Sequence, residues 1–301
     1  MEKGLVSIGL PAYNGSKYIR GSLGSLLSQS YKKFELIISD DSSADDTFKI
    51  CKEYAERDKR IKLVRQSARL GQFGNFRFVA KEAKGAYFMW VAQDDWWDPR
   101  FIEVLKSALD SRPDYGVAMS SYARFYDDGE FLAETKFSGP KDITWLGYAD
   151  VLDMMMKKAP IHKFSYGLFR SELIKKLISR PLPESIAWER VYMCEVAAAT
   201  HFYSHPEILY KITTYRQNLK TRYGKSDVAG PYFDKFHYTK YIFMIIRRLF
   251  TSPIIPFRLK VTLILRKSIT LLWFGRGRIL HELFPALYKF LRHRYISSAL
   301  R

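Results

Sequence analysis

Over the first 130 residues, short apolar runs alternate with segments of helical periodicity, and this alternation restricts the possible folds severely. The runs LVSIGL (5–10), FELIIS (34–39), IKLVRQ (61–66), YFMWVAQ (87–93) and VAMSSYARFY (117–126) have the length and composition of strands. Between them Ile19, Leu23, Leu26 and Leu27 recur at helical spacing, as do Phe48, Cys51, Tyr54 and Ala55. Two more helices are expected, over about 72–84 through Phe76, Val79, Ala80 and Ala83, and over 99–111 through Ile102, Leu105 and Leu109. Strands joined by single helices predict an α/β fold with a mostly parallel sheet covered on both faces.

In such sheets ligands bind beyond the carboxyl ends of the strands. Those ends carry Pro11-Ala12-Tyr13-Asn14, Asp40-Asp41-Ser42-Ser43 and Gln93-Asp94-Asp95. Adjacent carboxylates at the mouth of an apolar strand repel one another and are costly to desolvate, so a positive group is expected beside them. Asp94 and Asp95 suit a divalent cation bridging phosphate oxygens, because Mg²⁺ and Mn²⁺ favour oxygen ligands. A solvated turn is the plainer alternative. Asp98 followed by Pro99 reads as a helix cap. The DDSSADD run (40–46) is also good capping chemistry, or Asp40 accepts a hydrogen bond from a nucleobase N–H. Tyr13 either packs in the core or stacks on that base.

Other site chemistries find no support. Gly15, Gly21 and Gly24 do not make the G-x-G-x-x-G of a dinucleotide site, and the Gly-Lys-Ser at 224–226 has Leu219 where a phosphate loop needs glycine. The six His and two Cys show no metal-ligand spacing. Two cysteines, Cys51 and Cys194, are too few for a disulfide framework, which favours a reducing compartment. The first residues, MEKGLVSIGLPAYN, do not read as a secretory signal, and a cytoplasmic location is expected.

Charge is distributed unevenly. Lys and Arg number 49 against 31 acids, a net +18, and residues 231–301 hold 14 of the bases but only 2 of the acids. The pieces 238–250, 257–278 and 279–295 mix apolar and basic residues at helical spacing, with Pro253 and Pro256 between the first two. None reaches the ~20 uninterrupted apolar residues of a bilayer span. Basic amphipathic helices suit an anionic membrane face as peripheral anchors. Packing on the body or a dimer contact is the alternative. Nucleic acid is not expected, since no binding motif or aromatic platform is present.

Taken together, VSIGLPAYNGSKYIRGSLGSLLSQSYKKFELIISDDSSADDT, the QDD that follows, and SIAWERVYMCEVAAATHFYSHPEILYKITTYR resemble the family 2 glycosyltransferases, inverting enzymes of GT-A fold. The resemblance runs to about residue 135 and resumes at 185–216. It implies a nucleotide-sugar site in which Pro11, Tyr13 and Asn14 line the nucleoside pocket and Asp40 bonds the base, most often uracil. Gln93-Asp94-Asp95 falls on the family's D-x-D motif, with Gln93 in the place of its first Asp. Asp94 would then face the ribose, and Asp95 would bind Mn²⁺ or Mg²⁺ beside the diphosphate. The catalytic base falls on Glu189, where relatives usually carry Asp; Glu184 is the reserve, and Glu195 reads as structural. Arg216 would lie near the diphosphate, and Lys220, Arg222 and Lys225 form a basic loop that closes over the phosphates or is simply solvated. Arg65 and Arg69 lie where the family varies.

The implied reaction moves a sugar from a nucleotide sugar, a UDP-sugar by preference, to a lipid-linked or cell-surface glycan. The expected layout is a GT-A domain over 1–230, with a nucleotide half to about 135 and an acceptor half over 136–230, followed by a basic helical region over 231–301. A nucleotidyltransferase, and a nucleotide-sugar-binding or membrane-tethering module without catalysis, are the competing readings. The first would usually carry a glycine-rich basic loop after its first strand, which PAYNGSKY lacks.

Overall fold

The computed structural model describes residues 1–137, 164–180, 188–197, 199–216, 237–255, 257 and 260. Among the described residues nine strands form one sheet in the order β3-β2-β1-β4-β8-β6-β9-β5, with β7 also paired to β6. β1 (Glu2–Ala12), β2 (Phe34–Asp40), β3 (Ile61–Arg65) and β4 (Gly85–Trp90) make the parallel half. Val6, Ile8 and Leu10 of β1 and Leu36, Ile37 and Ile38 of β2 are completely or almost completely buried, as central parallel strands covered on both faces require.

Helices α1 (Ile19–Leu27), α2 (Thr47–Arg57), α3 (Gly71–Lys81) and α4 (Phe101–Ser111) follow β1, β2, β3 and β5. α1 and α4 bury the residues expected of them, among them Ile19, Leu23, Ile102, Leu105 and Leu109. α2 is rotated from expectation: it buries Thr47, Ile50 and Cys51, while Phe48 is half-buried, with the Arg65 guanidinium 4.8 Å from its ring centre. Asp98 holds the turn before α4 by accepting the Arg100 N–H at 2.9 Å. The Gln29 side chain accepts the Ile102 N–H, one of the donors a helix start leaves unpaired.

The second half is mixed rather than parallel. β6 (Tyr115–Tyr126) pairs parallel with β9 (His201–Thr214) but antiparallel with β7 (Phe131–Thr135) and β8 (Leu168–Arg170). β5 (Trp96–Trp97) runs antiparallel to β9. Three more helices complete the described chain: α5 (Ser171–Ile178), α6 (Trp188–Ala197) and α7 (His237–Thr251). Trp90 fastens the halves together. Its ring packs against Phe88, Phe169 of β8 and Tyr192 of α6, at 4.9, 6.0 and 5.7 Å between centres, and its indole N–H donates to Phe76 O. Such pairs contribute about 0.5–1.5 kcal/mol each beyond the area they bury.

The first piece of the basic tail is helical as expected, and it packs on the body. Arg248 of α7 meets Glu195 of α6 at 2.6 Å, and Arg180 reaches the same carboxylate from beyond α5. Glu195 is therefore structural, fully buried between two guanidinium groups. Phe243 and Phe250 on α7 stay exposed. The pieces at 257–278 and 279–295 lie essentially outside the described residues.

Candidate active site

Strand β1 has β2 on one side and β4 on the other, so the chain winds in opposite directions from it and a crevice opens at the strand ends. Here the loop after β1 is stitched to both neighbours. The Asn14 N–H donates to Ser43 Oγ and the Gly15 N–H to Thr47 Oγ1, at 3.0 and 2.7 Å, and Asn14 Oδ1 accepts the Ala44 N–H. Asn14 adopts φ +44°, a left-handed conformation that asparagine tolerates better than most residues. The Tyr13 ring is half-buried, with the Arg69 guanidinium 3.9 Å from its centre. Arg69, a weak candidate on sequence, therefore reaches the loop after β1.

Both aspartates at the end of β2 are buried, but they do different work. Asp41 accepts the Leu70 and Gly71 N–H groups at the start of α3. Asp40 accepts the Ser43 N–H through Oδ2 and lies 3.7 Å from Arg65, while its buried Oδ1 finds no donor among the described residues. A buried acceptor left so costs on the order of 1–3 kcal/mol.

Strand β4 ends at Trp90, short of the expected 93, so Gln93-Asp94-Asp95 sits on the turn into β5. This turn is tied to the far end of β9. Asp95 is 6% exposed, and its carboxylate accepts the Tyr210 hydroxyl and, at 2.8 Å, the Thr213 N–H. Asp94 is only half-buried; it accepts the Tyr215 hydroxyl, and its backbone carbonyl accepts the Thr213 hydroxyl. Tyr210, Thr213 and Tyr215 escaped the sequence reading, although ITTYR ends a strand that would run alongside the motif. Burial, and then the Asp95 charge, hold the Tyr210 phenol well above its ordinary value.

Glu189 lies in the first turn of α6 and is half-buried. Burial raises the Tyr166 phenol well above its usual value, and the charges of Glu189, Asp95 and Asp94 act in the same direction. Glu184 lies outside the described residues, as do Lys220, Arg222 and Lys225.

Arg216 is engaged elsewhere. It pairs with Asp128 at 2.9 Å and with Glu130, both in the β6–β7 turn, and its guanidinium stands 3.9 Å from the centre of Tyr126. Pro11 sits within β1, in register with Ser39 of β2. Among the described residues, no group of three or more His, Cys, Asp or Glu could hold a metal ion. The Asp94–Asp95 pair suits a cation shared with a ligand: Mg²⁺ typically takes one or two carboxylates and completes its shell with substrate phosphates and water.

A parallel half, a mixed second half and a carboxylate pair at their seam match the GT-A fold that the sequence resemblance implied. The family model described as glycosyl transferase family 2 matches residues 7–178, more than half of the chain, and the chain belongs to that family. Among curated relatives it is 33% identical over 141 residues to the Escherichia coli UDP-Glc:alpha-D-GlcNAc-diphosphoundecaprenol beta-1,3-glucosyltransferase WfaP, covering 47% of this chain and 54% of that one. It is 28% identical over 176 residues to a second Escherichia coli enzyme with the same activity in its name, WfgD, covering 57% and 68%. The chain spans about half the length of the first relatives it matches. Of solved structures, S. aureus TarS 1-349 in complex with UDP-GlcNAc superposes with a TM-score of 0.67 at 17% identity, covering 92% of this chain and 79% of that one. The Pyrobaculum calidifontis mannosyltransferase PcManGT, in complex with GDP-Man and Mn²⁺, gives 0.54 at 13% identity, covering 98% and 80%. At these identities the likeness establishes the fold.

Proposed function

We propose that the protein is an inverting glycosyltransferase that moves a sugar from a nucleotide sugar, a UDP-sugar by preference, to a lipid-linked glycan. The observation that carries the reading is the Asp94–Asp95 pair, held by β9 at the crevice beyond the strand ends and joined through Gln93 to the loop after β1. Glu189, in the first turn of α6, is the base that the family resemblance implies. The names of the two Escherichia coli relatives supply the donor and acceptor classes.

In this reading Tyr13, with Arg69 stacked on its ring, meets the base, Pro11 and Asn14 shape its loop, and the buried Asp40 Oδ1 is the acceptor a base N–H would satisfy. Mn²⁺ or Mg²⁺, when bound, offsets the charge of the diphosphate. Asp95 was the ligand implied by the motif. Burial favours the half-exposed Asp94 for that contact, with Asp95 as the anchor that fixes the turn. Arg216 reaches the diphosphate only by leaving Asp128 and Glu130. Glu189 takes the proton of the acceptor hydroxyl as its oxygen attacks the anomeric carbon. The bond to the nucleotide oxygen breaks on the opposite face, and its electron pair leaves with the diphosphate.

Glu189→Gln tests the assignment, because it keeps size and hydrogen-bonding reach but cannot accept the proton. Binding of UDP should be retained while transfer slows at least ~10²-fold, with the loss in kcat rather than donor KM. A fully active variant would remove the base from this mechanism. Retained binding with release of UDP from a donor sugar also separates an enzyme from a binding module. The basic tail as an anchor on anionic membrane, and a peripheral place on the cytoplasmic face, belong to the same proposal.

A further inference from the structure

The residue at the first position of the acidic motif is an amide, and it points at the nucleoside loop. Gln93 is 9% exposed. Its Oε1 accepts the Tyr13 N–H at 3.0 Å, and its Nε2 donates to Tyr13 O at 2.9 Å. The side-chain amide thus makes the two bonds that a facing peptide would make in a ladder. Its position gives this weight. β1 and β4 pair through Gly9 and Trp90, and the Val91 N–H still reaches Gly9 O, after which the two chains part at the crevice. Gln93 bridges the gap beyond that point.

Gly15 bears the imprint of this arrangement. A Cβ on Gly15 would stand 2.7 Å from Gln93 Nε2 and closer still to Cδ and Oε1. A methyl group there drives the amide off Tyr13. The next residue, Asp94, lies on the donor side of the turn, and Tyr13 carries the ring that Arg69 covers. One buried amide therefore joins the diphosphate end of the site to its nucleoside end.

We infer that Gln93 is a positioning residue for the donor: its amide fixes the height and tilt of the Tyr13 loop relative to the Asp94–Asp95 turn, and so sets nucleotide affinity without touching the reacting atoms. The inference rests on the donor reading above.

Gln93→Glu and Gly15→Ala are the discriminating variants. An ionised carboxylate at 93 sets an oxygen against Tyr13 O and cannot donate to it, and a methyl group at 15 displaces the amide. UDP binding by the full chain at pH 8, measured by calorimetry, should be about tenfold weaker than wild type in each, the scale of one such bond pair. Donor KM should rise in both variants with kcat held within about threefold.

Hydrogen exchange of the peptide containing Tyr13, without nucleotide, reports the clip directly and should quicken in both variants. Quickened exchange with unchanged UDP affinity would overturn the inference, because the clip would then be structural only. Wild-type protein that binds none of UDP, GDP, CDP and dTDP would sink the donor reading itself, and the inference with it, before any variant is compared.

Discussion

Asp94 and Asp95 are neighbours in the chain and differ sharply in environment. Asp95 spends its carboxylate on Tyr210 and Thr213 in a desolvated place, whereas Asp94 stands half-exposed beside Tyr215. Asn can replace a carboxylate that meets a cation only at the cost of the charge, but it cannot accept two donors equally well. Asp94→Asn should therefore abolish Mn²⁺-dependent strengthening of UDP binding and leave the melting temperature nearly unchanged. Asp95→Asn should cost roughly 1–3 kcal/mol in urea unfolding, as an imperfectly satisfied buried site does. Should Asp95→Asn lose the metal effect at full stability, the ligand role returns to Asp95 as the motif implied. The pair itself was legible in sequence, because two acids closing an apolar strand need a reason. The division between them was not. It is decided by residues 115 to 121 positions further along, on a strand whose pairing with the motif no local pattern reveals.

At the scale of elements, helix α6 matters most, because it carries Glu189 at one end and Glu195 near the other. Glu195 is held by Arg248 of α7 and by Arg180, whose guanidinium is pushed below its usual value by burial, with Glu195 acting in the opposite direction. Breaking a buried charge group by removing one member leaves the others unpaired. Glu195→Ala should destabilise the protein by about 3–5 kcal/mol, read as a lower urea midpoint, whereas replacing an exposed ion pair such as Lys52–Glu56 should change stability by less than ~1 kcal/mol. Equal effects would mean that the clamp is not buried in solution. The long strands and helices of the first half were visible because each has a clean period and a turn signal at its end. β5 and β8 were not, being only 2 and 3 residues long and stabilised by partners far along the chain, and neither was β7, the 5-residue hairpin partner of β6. The rotation of α2 shows at Ile50: helical spacing put Phe48, Cys51, Tyr54 and Ala55 on one face, and packing against the sheet turned the helix so that Thr47 and Ile50 are buried with Cys51.

For the whole molecule, the question is what the basic region does beyond the catalytic body. Among the described residues no helix is long and apolar enough to cross a membrane, and the one described tail helix is braced on α6. A cut at residue 235, the natural place on sequence alone, would remove Arg248 together with the buried Leu249, Ser252 and Ile255. It would damage the body as well as the tail, and any loss of membrane binding would be ambiguous. A cut after Pro256 keeps these contacts and removes 10 Lys and Arg with a single acid. If that segment anchors the enzyme, the full chain should sediment with vesicles containing anionic phospholipid and not with neutral ones. Binding should weaken as salt shortens the screening length from about 10 Å at 0.1 M. The 1–256 chain should then stay in the supernatant while keeping its melting temperature and its affinity for UDP. Binding that survives the cut would move the anchor to α7, whose exposed Phe243 and Phe250 remain in place. A full chain that ignores anionic vesicles, and whose 1–256 form changes its sedimentation coefficient as a dimer separates, would reassign the tail to self-association.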